Sequence, residues 1–458
     1  MSTAERSEQD VEALVERLVG EGVQYAVGTW IDIQGRAKGK VVPIDHLSAL
    51  ISGSERYTPR GLGDLGQMTP EEDECVALPD PTTLRVLPWD RRFAWMAADL
   101  LYGGTEPFEL CGRSILKRQI ARAAALGLSF ELGVETEIYV FRAESLDSPN
   151  GPLQPIQRSG NLWPTPAYDL EVELDLMPFL DPMVRYMNET GFGVYSFDAE
   201  GGEAQVEFDF AHAPVLEMAD RLTLFRLMAK QVAKEAGLAV TFMPKPWSGA
   251  WGSGAHFNMS LTDIDTQINR FRSEDDPRGL GWSREAYAFA AGIIRHAAGL
   301  AAVATPTVNS YKRLTPELAH GEVSWAPIWA AYGFNNRSCM LRLPANRPAL
   351  ENRAVDSAAN VYVTAAMMLA AGLDGIEAEL DPGEPTLERA YGEAPSEAAV
   401  RLPRNLLEAI EAFAADPLAY DVFPAEFVAA YTDMKRREWE EYHAEVGEWE
   451  RRRYLSLF

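Results

Sequence analysis

Two stretches of this chain place acidic side chains where strands would gather them on one surface. In Phe130-Glu-Leu-Gly-Val-Glu135-Thr-Glu137-Ile-Tyr-Val, the two-residue period of a strand turns Phe130, Leu132, Val134, Ile138 and Val140 to one face and Gly133, Glu135 and Glu137 to the other. In Glu200-Gly-Gly-Glu203-Ala-Gln-Val-Glu207-Phe-Asp209-Phe, a turn carrying Glu200 leads into a strand with Phe208 and Phe210 on one side and Glu207 and Asp209 on the other. Carboxylates held close on apolar-backed strands cannot all ionise unless cations or protons compensate. Hard oxygen ligands in this number suit Mg²⁺ or Mn²⁺, and a pair of such ions would bridge phosphate oxygens. The alternative is a solvated acidic sheet face in a chain of net charge −26.

Two further segments bear on that choice. In Trp251-Gly252-Ser253-Gly254-Ala-His256-Phe-Asn258-Met-Ser260, a Gly-rich turn enters a strand whose alternation sends His256, Asn258 and Ser260 to the same side. One histidine beside carboxylates can complete a metal site, although a lone histidine is more often structural. His46, His212, His296, His320 and His443 sit in no comparable pattern. From Arg313 to Arg353 the chain carries Arg313, Arg337, Arg342, Arg347 and Arg353 against Glu317, Glu322 and Glu351. That local cationic excess in an acidic protein points to bound anions, and Arg342, alternating with Leu341 and Leu343, is placed for bidentate capture of carboxylate or phosphate. Metal-binding acids plus phosphate-binding arginines suggest phosphoryl transfer.

The elements that must hold these residues read as α+β. An amphipathic helix with Val11, Leu14, Val15, Leu18 and Val19 opens the chain, and VQYAVGTWIDIQGRAKGKVVP reads as two strands around an Asp32-x-x-Gly35 turn. A boundary is expected near residue 105, separating residues 1–105 from residues 106–458. Helices are expected at RSILKRQIARAAALGL, ending at Gly127, and at VLEMADRLTLFRLMAKQVAKEAGL, stopped at Gly237. Trp439, Tyr442, Val446 and Trp449, spaced 3, 4, 3, predict a packed C-terminal helix with its aromatics in the core.

Composition narrows the function classes. With 42 basic and 68 acidic residues among 458, phosphate backbones and anionic lipid surfaces are poor partners. Three cysteines without a C-x-x-C offer neither a disulfide framework nor a zinc site, which fits a cytoplasmic setting. The apolar stretch around Ala288 to Ala304 is interrupted by Arg295 and His296, short of the ~18 uninterrupted residues of a membrane span. Gly61-Leu-Gly63-Asp-Leu-Gly66 satisfies G-x-G-x-x-G literally, yet no strand precedes it and Pro70 blocks a following helix, so it reads as a loop.

The motifs GVETEIYVF, EGGEAQVEFDF, MPKPW with GSGAHFNMSL, NSYKRL, NNRSCMLRLP and ENRAVDSAANVY together resemble the glutamine synthetase family over almost the whole chain, and most closely its branch of γ-glutamylmethylamide synthetase-like enzymes. The resemblance implies a small N-terminal β-grasp domain and a large catalytic domain with an antiparallel sheet flanked by helices. It also implies a homo-oligomer, commonly a dodecamer, whose active sites lie between subunits. It places Glu137, Glu200 and Glu207 on one metal and Glu135, His256 and Glu351 on another, with ATP as co-substrate and two or three Mg²⁺ or Mn²⁺ per site. Arg313 and Arg353 would hold glutamate beside Gly252, Arg337 and Arg342 would stabilise the transferred phosphoryl group, and Ser260 and Arg347 would contact the nucleotide.

The implied reaction activates glutamate as γ-glutamyl phosphate, which an amine then attacks. Trp325 in Gly321-Glu-Val-Ser-Trp-Ala-Pro stands where ammonia-using relatives carry a glutamate, Tyr57-Thr-Pro-Arg60 stands where they carry an aspartate, Asn258 replaces a common histidine and Trp251 an asparagine. An organic amine in a pocket lined by Trp325, with Trp251 as a second candidate for its wall, is therefore expected. True glutamine synthesis, with Glu322 or Asp64 serving ammonium, is the alternative. Guanidino kinases and a non-catalytic binding protein of this fold are the other readings, the latter disfavoured by retention of all six metal ligands.

Overall fold

The computed structural model describes residues 8–58, 71–147, 156, 166–318, 321–396 and 399–458. The Gly61–Gly66 motif, Asp64, Arg60 and His320 lie outside the described residues.

The first helix, α1 (Glu8–Gly20), buries Val11 and Leu18, while Val19 is 49% exposed and faces away from the core, contrary to the expected stripe. The hairpin follows as expected, with β1 (Tyr25–Ile31) paired to β2 (Ala37–Pro43). Its turn is held by Asp32, whose Oδ1 accepts from the amides of Gln34 and Arg36 at 3.0 and 2.9 Å, and Gly35 takes the left-handed φ of +77°. After α2 (Leu47–Ile51) come β3 (Arg56–Tyr57), β4 (Cys75–Pro79), β5 (Arg85–Val86), β6 (Phe93–Tyr102) and β7 (Glu106–Pro107). These form a seven-stranded sheet in the order β2-β1-β6-β4-β3, with β5 and β7 also on β6. Only the β1–β6 contact in it is parallel.

Helix α3 (Gly112–Ala125) ends before Gly127, which has φ +74° as a helix stop requires. It leads into β8 (Leu128–Arg142), the spine of a nine-stranded sheet. Helix α4 (Leu170–Glu189) is hidden in the sequence by Pro178 and Pro182, and starts because the Asp169 carboxylate caps the amides of Glu171 and Val172. Strands β9 (Val194–Ala199), β10 (Gln205–Phe210) and β11 (Ala213–Pro214), helix α5 (Val215–Glu235), and strands β12 (Leu238–Thr241) and β13 (Ala255–Asp263) follow, with Gly237 at φ +69° stopping α5 as expected. Next come α6 (Arg284–Arg295), α7 (Ala297–Ala304), β14 (Trp329–Ala330), β15 (Tyr332–Phe334), β16 (Leu341–Leu343), β17 (Leu350–Asn352) and α8 (Val361–Glu377). The large sheet runs β15-β16-β17-β13-β8-β10-β9, with β11 and β12 on β8, and all of its pairings except β15–β16 are antiparallel. The α+β reading and the helix-flanked antiparallel sheet hold.

One face of that sheet is packed and the other is functional. Behind the acidic strands, Phe208 packs on Phe179 and Phe225 and Phe210 on Phe192, with ring centroids 5.3–6.4 Å apart. Each fully buried phenylalanine contributes about 2–3 kcal/mol, and this apolar backing fixes which way Glu207 and Asp209 must point. Helices α6 and α7 meet at 77°, and among the described residues no single helix is long and apolar enough to cross a membrane.

The C-terminal expectation is corrected. After β18 (Val400–Arg401), α9 (Leu406–Ala415) and α10 (Pro417–Val422), helix α11 (Ala425–Ala444) stops, and α12 (Glu448–Tyr454) restarts after Gly447. Trp439 packs against the core, whereas Tyr442 is 40%, Val446 66% and Trp449 60% exposed. The break at residues 445–447 rotates the later residues off the stripe that a continuous helix would present.

Helices α6 and α8 approach so closely that a Cβ on Gly375 would lie 2.0 Å from the Ala288 carbonyl and 2.7 Å from the Gly292 nitrogen. Gly375→Ala is expected to destabilise the protein by about 2–3 kcal/mol, read as a lowered denaturation midpoint. Gly249→Ala, whose Cβ would meet nothing within 4 Å, should be near neutral.

Candidate active site

Register, more than sequence proximity, assembles the acidic face. Strand pairing sets Glu207 opposite Glu137 and Asp198 opposite Glu207, so three carboxylates from β8, β10 and β9 stand side by side. On the other edge of β8, His256 is opposite Glu135, and β13 in turn sets Asn258 opposite Glu351 and β16 sets Arg342 opposite Glu351. Three groups place ligand atoms within 4.8 Å of one another: Glu137 with Glu200 and Glu207, Glu135 with Glu207 and His256, and Asp198 with Glu207 and Asp209. Glu207 is common to all three.

Three of the carboxylates are held by neighbouring donors. Glu137 Oε2 accepts from Gln205 Nε2 at 3.0 Å and from the Gly254 amide at 2.8 Å. Glu135 Oε1 accepts from Arg347 at 2.6 Å and from Asn258 at 3.1 Å, and its other oxygen is 3.3 Å from His256 Nδ1. Glu351 is fully buried, with its Oε1 3.7 Å from His256 Nδ1, and its oxygens are ion-paired to Arg353 and, at 2.8 Å, to Arg342. Glu351 thus stands beside the three ligand groups and anchors the arginines.

The electrostatics show what this face lacks. Burial, then Glu200, raises Glu137 to about 7 against the opposing pull of Arg313. Burial and the neighbouring carboxylates push Glu207 well up, and raise Asp198 and Asp209 each to about 6. Burial, followed by the charge of Arg353, keeps His256 well below its ordinary value, so its imidazole is neutral and able to ligate. Burial would raise Glu351 too, but Arg353 leads the charges that outweigh it and hold it below the usual range. Carboxylates that retain protons for want of counter-charge, joined by a neutral imidazole, make a donor set that fits hard divalent cations.

Two cavities flank this face. One, of about 510 Å³, is lined by the acidic groups, by all five arginines of the Arg313–Arg353 run and by Trp251, Gly252, Trp325 and Tyr168. The other, of about 360 Å³, is lined by Asn258, Ser260, Tyr195, His212 and Asn269. Both reach Glu135, Asp209 and Arg347, so the cavities adjoin at the carboxylates. In the first, Arg313 is buried and donates to the carbonyls of Ala354 and Arg353 at 3.0 and 2.9 Å. A Cβ on Gly252 would lie 2.4 Å from Arg313 Cγ, which explains the glycine. Arg342 is steadied by Asn335 at 2.7 Å, and Arg337 is exposed at the cavity. Tyr168 and Trp325, both cavity-lining, hold left-handed φ values of 62° and 59°; such backbone strain persists where the surroundings enforce it.

The residues expected as metal, glutamate, phosphoryl and nucleotide contacts fall at this face or its two cavities, whereas Glu322, the alternative acid for ammonium, lines neither cavity. The residues not anticipated are Asp198, Gln205, Tyr168, Asn335 and Ser357. Gln205 shares the alternation of Glu207 and was legible in principle; the others depend on long-range register or loop geometry. His296 is also better placed than its sequence suggests: it joins Asp416 at 2.9 Å and Asp374 at 3.1 Å, tying α6 and α7 to α8 and α10 as a structural clamp.

The geometry describes a site where divalent cations, a polyanion and a carboxylate substrate can meet, and the comparisons agree. The family profile of the glutamine synthetase catalytic domain matches residues 109–454, and the chain belongs to that family. It is 35% identical over 441 residues to the glutamate–methylamine ligase of Methyloversatilis universalis, covering 95% of this chain and 97% of that one. It is 33% identical over 438 residues to a glutamine synthetase of Rhizobium leguminosarum bv. phaseoli, covering 95% and 98%. Among solved structures, GmaS complexed with ADP superposes with a TM-score of 0.88 at 35% identity, covering 96% of this chain and 99% of that one. Apo GmaS superposes at 0.86 and 34% identity, covering 97% and 99%.

Cation binding should displace the protons that burial retains on this face. Mn²⁺ titrated near pH 6.5 in buffers of different ionisation enthalpy is expected to show proton release that fades above pH 8, with affinity rising as pH rises. In the cation-free protein the sign is fixed by the same shifts. Glu137, Asp198 and Asp209 bind protons more tightly folded than unfolded, so their contribution favours folding at low pH and is lost as pH rises through about 6 to 7. Glu207→Gln, removing the group shared by all three clusters, should weaken Mn²⁺ at least about tenfold.

Proposed function

We propose that the protein is an ATP-dependent glutamate–amine ligase that joins the γ-carboxylate of glutamate to a small organic amine. The observation that carries this reading is the pair of cavities meeting at Glu135, Asp209 and Arg347, one rich in arginine and aromatic side chains and the other reaching Ser260. Glutamate would lie in the first, its carboxylates held by Arg313 and Arg353 beside Gly252, and ATP in the second, with Ser260 and Arg347 as contacts. Two or three Mg²⁺ or Mn²⁺ ions would be held by Glu137, Glu200 and Glu207 and by Glu135, His256 and Glu351, and would supply charge neutralisation for phosphoryl transfer. The γ-carboxylate attacks the γ-phosphorus of ATP and ADP leaves, giving γ-glutamyl phosphate. Arg337 and Arg342 offset the charge on the transferred phosphoryl oxygens. A neutral amine then attacks the acyl carbon, phosphate departs, and the amine's extra proton passes to a nearby carboxylate. Exclusion of water keeps the acyl phosphate for the amine.

The acceptor is read from the first cavity, whose lining includes Trp325, Trp251 and Tyr168. Trp325 is 50% exposed in a left-handed backbone conformation, as a surface packing residue need not be. An apolar wall of this kind favours an alkyl or aryl amine over ammonium. The glutamate–methylamine ligase relative supports the same direction, and the glutamine synthetase relatives support ammonia as the second reading.

The remaining assignments belong to the same proposal. A β-grasp domain over residues 1–105 and a catalytic domain over residues 106–458 are supported by the separate seven-stranded sheet and by the family match beginning at residue 109. A homo-oligomer with shared active sites, of dodecamer type, is supported by exposed Trp449, Leu455, Leu457 and Phe458 at the C-terminus. A cytoplasmic setting is supported by three buried free thiols.

Turnover measured with ammonium, methylamine, longer alkylamines and aniline tests the reading. An organic amine is expected to have the highest kcat/KM, and Trp325→Ala is expected to lower that value about tenfold or more while changing the KM for glutamate little. A clear preference for ammonium would overturn the organic-amine assignment, and absence of amine-dependent phosphate release with every acceptor would overturn the ligase assignment.

A further inference from the structure

A third cavity, of about 720 Å³, lies where the β1–β2 turn meets α5, β12 and α11. It shares no lining residue with the two cavities at the acidic face. Its charge runs against the rest of the molecule: Arg36, Lys38, Arg226, Lys230 and Lys435 line it with a single acid, Glu438, in a chain of net charge −26.

Some of these cations are neutralised locally. Lys435 pairs with Glu438 at 2.8 Å, and Arg36 and Lys38 share Asp32 at 3.0 and 3.7 Å. Arg226 and Lys230 make no ion pair among the described residues. Arg226 donates only to carbonyl oxygens, those of Ser357 at 2.6 Å, Ala359 at 2.8 Å and Gly35 at 3.4 Å, and stacks over Phe242 with its guanidinium 5.5 Å from the ring centre. Burial pushes it down to about 10 against the opposing charge of Asp356. Lys230 has no ion-pair partner among the described residues, and burial, followed by Arg226 and Arg36, lowers it as well. Arg226 is half-buried with only the unpaired charge of Asp356 to oppose its burial, and Lys230 is exposed at the cavity, so an anion entering there would meet two cations that no carboxylate pairs directly. Asn360, 6% exposed, also lines the cavity; its Nδ2 donates to the carbonyls of Asp32 and Ile33, while its Oδ1 is buried without a partner. Phe242, Val303 and Val363 provide apolar wall for a carbon skeleton.

We propose that this cavity binds a small dianionic metabolite, a dicarboxylate or a phosphate monoester, through Arg226 and Lys230, with Asn360 Oδ1 accepting from a hydroxyl or amine of its body. Two charges match the two cations that make no ion pair, and a flexible lysine beside a fixed guanidinium suits either anion. The site is wired to the acidic face. Arg226 holds the Ser357 carbonyl, and the Ser357 hydroxyl lies 2.7 and 2.8 Å from the carbonyl oxygens of Glu137 and Gly254. Binding would thus bias the backbone that positions Glu137, a consequence that rests on the acidic face being the active site, whereas binding itself does not.

Calorimetric titration of the full-length protein with Mg²⁺ and saturating glutamate, using malate and glycerol 3-phosphate as probes, separates the two ligand types. One probe is expected to bind at one site per chain with Kd below about 1 mM, and Lys230→Glu is expected to weaken it at least about tenfold. Lys230→Gln, which removes charge without adding repulsion, should give an intermediate loss, while turnover without probe stays within about twofold of the parent because Lys230 lines neither cavity at the acidic face. Absence of binding by both probes at about 10 mM, unchanged affinity in Lys230→Glu with a native melting profile, or a segment of a second copy found filling the cavity would each overturn the proposal. Because binding is read without turnover, failure of the ligase reading leaves this result interpretable.

Discussion

The structure depends on keeping several like charges together out of water. Glu135, Glu137, Glu200, Glu207, Asp198 and Asp209 converge on one face of a sheet whose other face is aromatic core. In the absence of cations, burial and mutual repulsion force protons onto that face, as the raised carboxyls show. A fold that placed them there without a cationic occupant would be working against its own stability. The phenylalanines behind β10 oppose that tendency, because no strand rotation can relieve the repulsion without exposing them.

The positive side of the site is built with equal economy. Glu351, although acidic, serves as the internal counter-ion that fixes Arg342 and Arg353 at the rim of the carboxylate cluster. Arg347 does the reverse, a cation reaching back to Glu135 at the junction of the two cavities. Alternating charges of this kind set a boundary between the place for cations and the place for anions, and the transferred phosphoryl group of the proposed reaction would sit across it.

Strain gathers around the same place. Six non-glycine residues with positive φ are present among the described residues. Of these, Tyr168 and Trp325 line the first cavity, Asn335 braces Arg342, and Ala204 lies in the turn between Glu200 and Glu207. Irregular backbone is enforced there by packing, and it places bulky side chains where regular structure would not carry them. Membership in the glutamine synthetase family accounts for the shared framework.

By itself the sequence determined which side chains share a face. Strand alternation is local, so Glu135 with Glu137, Glu207 with Asp209, and His256 with Asn258 and Ser260 were legible, as were the β1–β2 hairpin and the glycine-stopped helices α3 and α5. The dense run of arginines announced an anion site, and all five line the first cavity. What only tertiary structure decided was register and breakage. Asp198 joins the cluster because β9 pairs with β10 at Glu207, Ser357 reaches Glu137 across more than two hundred residues, and the helix expected at the C-terminus breaks before Gly447. Local periodicity is set by bond geometry within a few residues, whereas which strand neighbours which, and where a chain leaves the core, is settled by the packing of the whole molecule.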